Sequence, residues 1–198
     1  LVKLGQPICK NRIQLFRRLA TEITVQSLHT IFPSFVGRAN RQPGDTERLQ
    51  LRLYSNIARG YWYTRDKYYT LWAHLRGMNA GERFVPTPDL AHAYSEHAPA
   101  MTLLGLYQRG INYAMRSLQI RKDLRDLWGQ GQSLHYQGVV LYANSRYRQC
   151  IDKCREAIRL LERAGDYWQV HIARYQIAAS LYRLGNADAA LKEAQCNY

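Results

Sequence analysis

Stretches of this chain recur at a spacing of forty residues. YQRGINYAMRSLQIRKDLRD begins at Tyr107 and YRQCIDKCREAIRLLERAGD at Tyr147. They align without a gap: Tyr107 over Tyr147, Ile111 over Ile151, Leu118 over Ile158, Asp126 over Asp166. The register continues, with Trp128 over Trp168, Leu141 over Leu181 and Tyr142 over Tyr182. A fixed period of about 20–50 residues marks stacked supersecondary units. Each such unit leaves an apolar face that only its neighbours can bury. The expected fold class is therefore all-α, a right-handed α-solenoid of helical hairpins, an architecture that binds far more often than it catalyses.

Small residues mark the first helix of each unit: Ala58, Ala98, Gly138 and Ala178, each forty from the next. Three positions later stands a large residue: Tyr61, Met101, Leu141 or Leu181. Small and large on one helix face suit a tightly packed hairpin. The ends agree. Asp126 and Asp166 can cap the helices that follow them, as can Thr87 before Pro88 and Asp45-Thr46 in the first unit. Gly105 and Gly185 suit the left-handed position just past a helix end. Pro99 lies inside a helical pattern and should kink or split it. These signals predict eight repeat helices in four hairpins, the last truncated. The units run about 46–86, 87–125, 126–165 and 166–198. Ahead of them stand a leading linker segment, 1–34, and a Gly/Pro loop, 35–45. Within the leader, Ile13, Phe16, Leu19, Ile23 and Leu28 predict an amphipathic helix over Cys9–Phe32. Its arginines read as a solvated face.

Composition narrows the function. At 198 residues and 46% hydrophobic, there is material for a core. No run reaches the roughly 18 apolar residues of a membrane span. The four cysteines lack framework spacing, so a reducing cytoplasm is expected. The chain has no initiator Met, and AALKEAQCNY stops where its counterpart, Cys150 to Arg163, runs on. A piece of a longer protein is expected. The net charge of +13 suits nucleic acid or another acidic partner. It better suits a basic segment with an acidic complement in the flanks, because no Lys/Arg block is continuous.

Chemistry is hard to place on these residues. Cys150 and Cys154 share a helix face but supply two metal ligands where three or four are needed, so core packing is expected. His92 and His97 are five apart, not the four of a zincin helix, and Glu96 directly precedes His97. Asp123, Asp126, Glu162 and Asp166 stand at helix ends, where capping and dipole effects account for them. No nucleophile elbow or phosphate-binding glycine loop appears. No enzyme activity, metal or cofactor is expected.

LHYQGVVLYANSRYRQCIDKCREAI and IAASLYRLGNADAALKEA resemble the tetratricopeptide repeat in its longer, forty-residue form. The first matches at Gly138, Leu141, Tyr147 and Ala157, with Cys150 at the usual Ala position. The second matches at Ala178, Leu181, Gly185 and Ala190. The first two units depart from the pattern: Thr70 and Gly110 replace the Ala, and His74 and Ala114 the aromatic. LWAHLRGMNAGERF, TPDLAHAYSEHAPAM, LWGQGQSLHYQGVVLY and CREAIRLLERAGDYWQV resemble more narrowly the repeat region of large bacterial signalling proteins. There a STAND-type, AAA-like ATPase, often behind a serine/threonine kinase-like domain, precedes such repeats, and output modules follow. Leu4-Gly5-x-Pro7 resembles the junction where an earlier repeat ends. Neither a Walker A sequence nor HRD or DFG occurs, so no nucleotide chemistry carries over.

The resemblance implies a site on the inner wall, lined by the first helix of each unit. Its positions map to Arg52, Ser55, Arg59, Trp62 and Tyr63, then to His92, Ser95 and Thr102. Gln132, His135 and Tyr142 follow, then Tyr175, Tyr182 and Arg183. These types dominate interface hot spots. An aromatic, cationic wall without an acid would take a carboxylate-bearing peptide or helix. Trp128 and Trp168, beside the caps, are expected to be packing anchors. The resemblance thus implies a non-catalytic protein-interaction and regulatory module of a multidomain cytoplasmic signalling protein. Its partners would be a protein or peptide, or neighbouring domains of the same polypeptide, and not a membrane. The alternative is a nucleic-acid-binding helical repeat. The varied inner positions speak against a base-by-base code.

Overall fold

In the computed structural model the described residues are 2–5, 8–32 and 40–196. Pro7 and residues 35–39 of the expected loop lie outside them. A short 3-10 turn, Val2–Leu4, precedes nine α-helices among the described residues. They are α1 Arg12–Ile31, α2 Asp45–Thr64, α3 Lys67–Gly81, α4 Pro88–Thr102, α5 Tyr107–Asp123, α6 Leu127–Ala143, α7 Tyr147–Arg163, α8 Tyr167–Arg183 and α9 Ala187–Gln195. The chain forms two compact units, residues 1–93 and 94–198, with α4 running from one into the other.

A left-handed residue recurs every twenty positions in the second unit. Gly105, Arg125, Ser145, Gly165 and Gly185 have φ of 68°, 55°, 57°, 75° and 79°. Each follows a helix end, and the next N–H reaches back to close it, as Asp126 does to the Arg121 carbonyl at 2.9 Å and Asp166 to Leu161 at 3.0 Å. The same residue then opens the next helix. Asp126 Oδ1 accepts from Gly129 N at 2.9 Å, Asp166 Oδ1 from Gln169 N at 3.0 Å, and Asn186 Oδ1 from Ala189 N at 3.1 Å. One residue thus ends one helix and starts another, which keeps the connections short.

In the second unit the core joins α4 through α8. Ala98, Ile111, Ala114, Leu134, Val140, Leu141, Ile151, Ala157, Ile158, Leu161, Val170, Ala173 and Ile177 are buried together with Cys150 and Cys154. The two sulfurs stand 4.0 Å apart. The bond to Cys150, with burial, pushes the Cys154 thiol up. The small marker Gly138 and Gly110 of α5 sit at helix crossings. A Cβ on Gly138 would lie 2.7 Å from Cys154 Sγ, and a Cβ on Gly110 would lie 2.7 Å from the Ala98 carbonyl oxygen. Pro99 does not split α4, which continues through it to Thr102. With only one turn left beyond Pro99, the missing N–H costs the helix little of its length.

In the first unit, Leu15, Leu19, Leu51, Tyr54, Trp72, Leu75 and Met78 are buried. Tyr54 meets Trp72 edge to face, with centroids 6.2 Å apart. Two expectations fail here. The buried face of α1 is Leu15, Leu19, Glu22 and Gln26, while Ile13, Phe16, Ile23 and Leu28 are exposed. Glu22 sits inside because α3 supplies its partners. Asn79 Nδ2 donates to the Glu22 carbonyl at 3.0 Å and to its carboxylate at 2.8 Å, and Arg76 donates to the same carboxylate at 3.2 Å. A buried charge is tolerated when so paired. The second failure is the cap of α2. The cap position is Gly44, one residue before Asp45-Thr46. The Glu47 carboxylate accepts from Gly44 N at 2.7 Å and grips Arg41 through two bonds of 2.7 Å. The Arg41 guanidinium and the Gly44 N–H hold Glu47 down to about 2. Thr87 caps α4 as expected, its Oγ1 accepting from Leu90 N at 3.1 Å.

Candidate functional site

The expected inner-wall residues divide between the two units. In the first, α2 carries Arg52, Arg59, Trp62 and Tyr63, all exposed, and a half-buried Ser55. Arg52 Nε donates to Asp89 Oδ1 at 2.9 Å, and Arg59 Nη2 stands 3.5 Å from His92 Nε2. Asp89 corrects the expectation of a wall without an acid. It lies 37 residues after Arg52 in sequence, close to one repeat. Trp62 and Tyr63 lie at the end of α2, with their rings exposed.

In the second unit the expectation of exposure fails at three positions. Gln132 and His135 are 3% and 2% exposed, and Ser95 is fully buried. Ser95 Oγ lies 2.7 Å from Ser117 Oγ and 3.2 Å from Ser133 Oγ, and Ser117 and Ser133 are 2.8 Å apart. This closed cluster of hydroxyls ties α4, α5 and α6 together. Thr102 is half-buried, its hydroxyl bound to the Pro99 carbonyl at 2.7 Å.

These residues are buried because they form the seam between successive first helices. Trp128, His135 and Tyr142 are spaced seven apart and so form one stripe along α6. Each meets α8. Trp128 Nε1 donates to Asp166 Oδ2 at 2.7 Å, His135 Nδ1 pairs with Gln169 Oε1 at 3.2 Å, and Arg183 Nε points at Tyr142 Oη at 3.5 Å. Burial pushes His135 down to about 4. With Nδ1–H donating to the Gln169 amide, Nε2 is left buried without a partner among the described residues. Such a histidine is a neutral packing group and not a peptide contact.

In the second unit, α8 keeps its stripe open. Trp168, Tyr175 and Tyr182 are 73%, 68% and 69% exposed, and Arg183 beside them is also exposed. Trp168 is thus not a packing anchor, whereas Trp128 packs against the core. The two differ because α8 covers the stripe of α6 and no described helix covers that of α8. His97 is fully buried, in edge contact with Tyr113 at 4.6 Å, and accepts from Arg109 at 3.3 Å. It packs and is not a ligand. Among the described residues no three His, Cys, Asp or Glu side chains gather as a metal site needs. No described helix is long and apolar enough to cross a membrane.

No protein-family model matches the chain. No curated protein matches it either. Solved structures do. Aspartyl phosphate phosphatase F from Bacillus subtilis superimposes with a TM-score of 0.65 at 16% identity over 92% of this chain. The chain spans about half of that protein, 48% of its length. PlcR from Bacillus thuringiensis, crystallised with the peptide PapR7 and DNA, gives 0.62 at 16% identity, covering 96% of this chain and 71% of the other. Identity this low carries the fold alone. The chain has the expected class: an all-α fold of tetratricopeptide-like helical hairpins, of the α-solenoid kind.

Proposed function

We propose that this chain is a non-catalytic protein-interaction and regulatory module of a cytoplasmic signalling protein, of the ATPase or kinase type its sequence resembles. It couples a partner's docking to the output of the domains beside it. One observation carries the reading. Exposed Trp, Tyr and Arg side chains collect at two places on first helices, Arg59–Trp62–Tyr63 on α2 and Tyr175–Tyr182–Arg183 on α8. Solvated aromatics with adjacent guanidinium groups suit a protein or peptide bearing carboxylates. The likeness to a protein crystallised with a peptide supports it. Docking would shift the balance between two arrangements of the repeats, and so bias the switch they adjoin.

The net charge of +13, and a structural neighbour crystallised with DNA, favour a second reading, a nucleic-acid-binding repeat. Fluorescence anisotropy separates the two. Short acidic, neutral and basic peptides and a single-stranded RNA are titrated against the full chain at several salt concentrations. Preferential binding of the acidic peptide, weakened by Arg59→Ala with Tyr63→Ala at unchanged helix content, is the expected result. RNA binding whose affinity falls log-linearly with salt, with no peptide binding, would replace the proposal by the second reading.

A further inference from the structure

The first unit encloses a cavity of about 500 Å³, a size typical of small-molecule sites. Its lining comes from α1, α2, α3 and the residue pair just past α3, so its walls belong to the first unit alone. The floor is polar. Glu22 is 5% exposed, and a charge that deep costs desolvation that an apolar residue would avoid. Asn79 gives its amide N–H groups to Glu22, and its Oδ1 has no partner among the described residues. Such breaks of the packing rules gather at functional sites. The acids around the cavity are already engaged. Glu22 holds Arg76 and Asn79, Glu47 holds Arg41 and the Gly44 N–H, and Glu82, behind the wall, holds His29. Arg83 is different. It lines the cavity, is exposed, and has no hydrogen bond or ion pair to a described residue. Glu47 feels it only through its field. The half-buried amide of Gln50 is likewise uncommitted.

We propose that this cavity binds a small organic acid, its carboxylate on the Arg83 guanidinium and its apolar body against Val25, Leu51, Ala80 and Phe84. The charge balance sets the class. One uncommitted cation matches one carboxylate, whose two oxygens suit the guanidinium fork. An amine would meet only acids that already hold donors, and a phosphate dianion would bring a second charge that no uncommitted cation answers. The Gln50 amide can take a carbonyl or an N–H in the middle of the ligand. The remaining wall is hydrocarbon, which favours a ring or short chain over a small hydrophilic acid. Because α1, α2 and α3 all contribute, occupancy joins the three helices. The site goes beyond the docking of a protein partner and does not rest on it.

The probe is phenylpropionate, with phenylpropanamide and phenylpropylamine as its neutral and cationic counterparts. Each is titrated against the full chain by isothermal titration calorimetry. The expected result is saturable binding of the acid at millimolar concentration or below, with the amide and the amine weaker by about tenfold or more. Arg83→Gln should weaken the acid by a similar factor. Ala80→Leu fills the cavity from α3 without changing charge and should abolish binding. Arg17→Gln removes an exposed arginine of α1 that is not part of the lining and should change nothing. Circular dichroism confirms that the variants fold, and the exposed Arg83 keeps the test sharp if Ala80→Leu does not. No saturable binding of the acid to the wild-type chain overturns the proposal, as does an amide that binds as well as the acid. Equal loss in Arg17→Gln and Arg83→Gln would mean attraction to a basic surface and not a site. Preference for the amine would assign the cavity to cations through Glu22 and Glu47, and equally overturns it. The protein-interaction reading is untouched by any of these results, because it is read at Arg59 and Tyr63.

Discussion

One substitution, glycine to alanine, should have opposite effects at two positions of this chain. Both glycines are helical, so each alanine recovers about 1 kcal/mol of backbone entropy. At Gly60 in α2 the new Cβ meets nothing within 4 Å. The gain stands alone, and Gly60→Ala should stabilise by about 1 kcal/mol. At Gly110 in α5 the Cβ lands 2.7 Å from the Ala98 carbonyl oxygen and 3.2 Å from both Val140 methyls. The oxygen belongs to the backbone of α4, so it cannot swing away. Relief requires α4 and α5 to part by about half an ångström in a core packed like a crystal. Such overpacking costs about 1–3 kcal/mol, and after the propensity gain Gly110→Ala should destabilise by about 1–2 kcal/mol. Urea unfolding followed by far-ultraviolet circular dichroism measures both, and the midpoints should move in opposite directions. Because the two positions lie in different units, a resolved second transition should carry the Gly110 effect alone. A Gly110→Ala chain as stable as wild type would refute the claim that the small position sets the distance between the paired helices. So would a Gly60→Ala chain that is less stable.

Three further outcomes are expected. Arg125 holds a left-handed φ of 55° that its equivalents at 105, 165 and 185 give to glycine. Arg125→Gly should raise stability by about 1 kcal/mol in the same urea experiment. Asp166 both caps α8 and accepts the Trp128 indole N–H, so Asp166→Ala should cost about 2 kcal/mol, more than Asn186→Ala, which loses a cap alone. His135 is neutral when folded, with its value lowered from 6.5 to about 4. Its contribution is therefore complete above pH 6.5, is lost as pH falls toward 4, and is constant below that. Between pH 7 and pH 5 the loss is about 2 kcal/mol, and His135→Gln should flatten that part of the stability profile.

How far the sequence could be read depends on whether a signal is local. The forty-residue register, the small residue of each hairpin and the caps at Asp126, Asp166 and Thr87 all rest on contacts within a few residues, or between adjacent helices of one repeat. Steric room and unpaired backbone N–H groups at those places admit few residue types. They were therefore legible, and so was the fold class. Burial of side chains on the first helices was not. Ser95 and His135 carry polar types suited to a surface, and only the arrival of the next first helix, with Ser133 and Gln169 as partners, turned them inward. The same holds for α1, where Ile13, Phe16, Ile23 and Leu28 face water while Glu22 faces Asn79 and Arg76 from α3. Polar groups follow their partners, and the partners lie 16 to 57 residues away. Tertiary structure also decided the difference between two tryptophans in the same repeat position. Trp128 is covered because α8 follows it. Trp168 stands open because no described helix does, and the residue type alone holds no record of that.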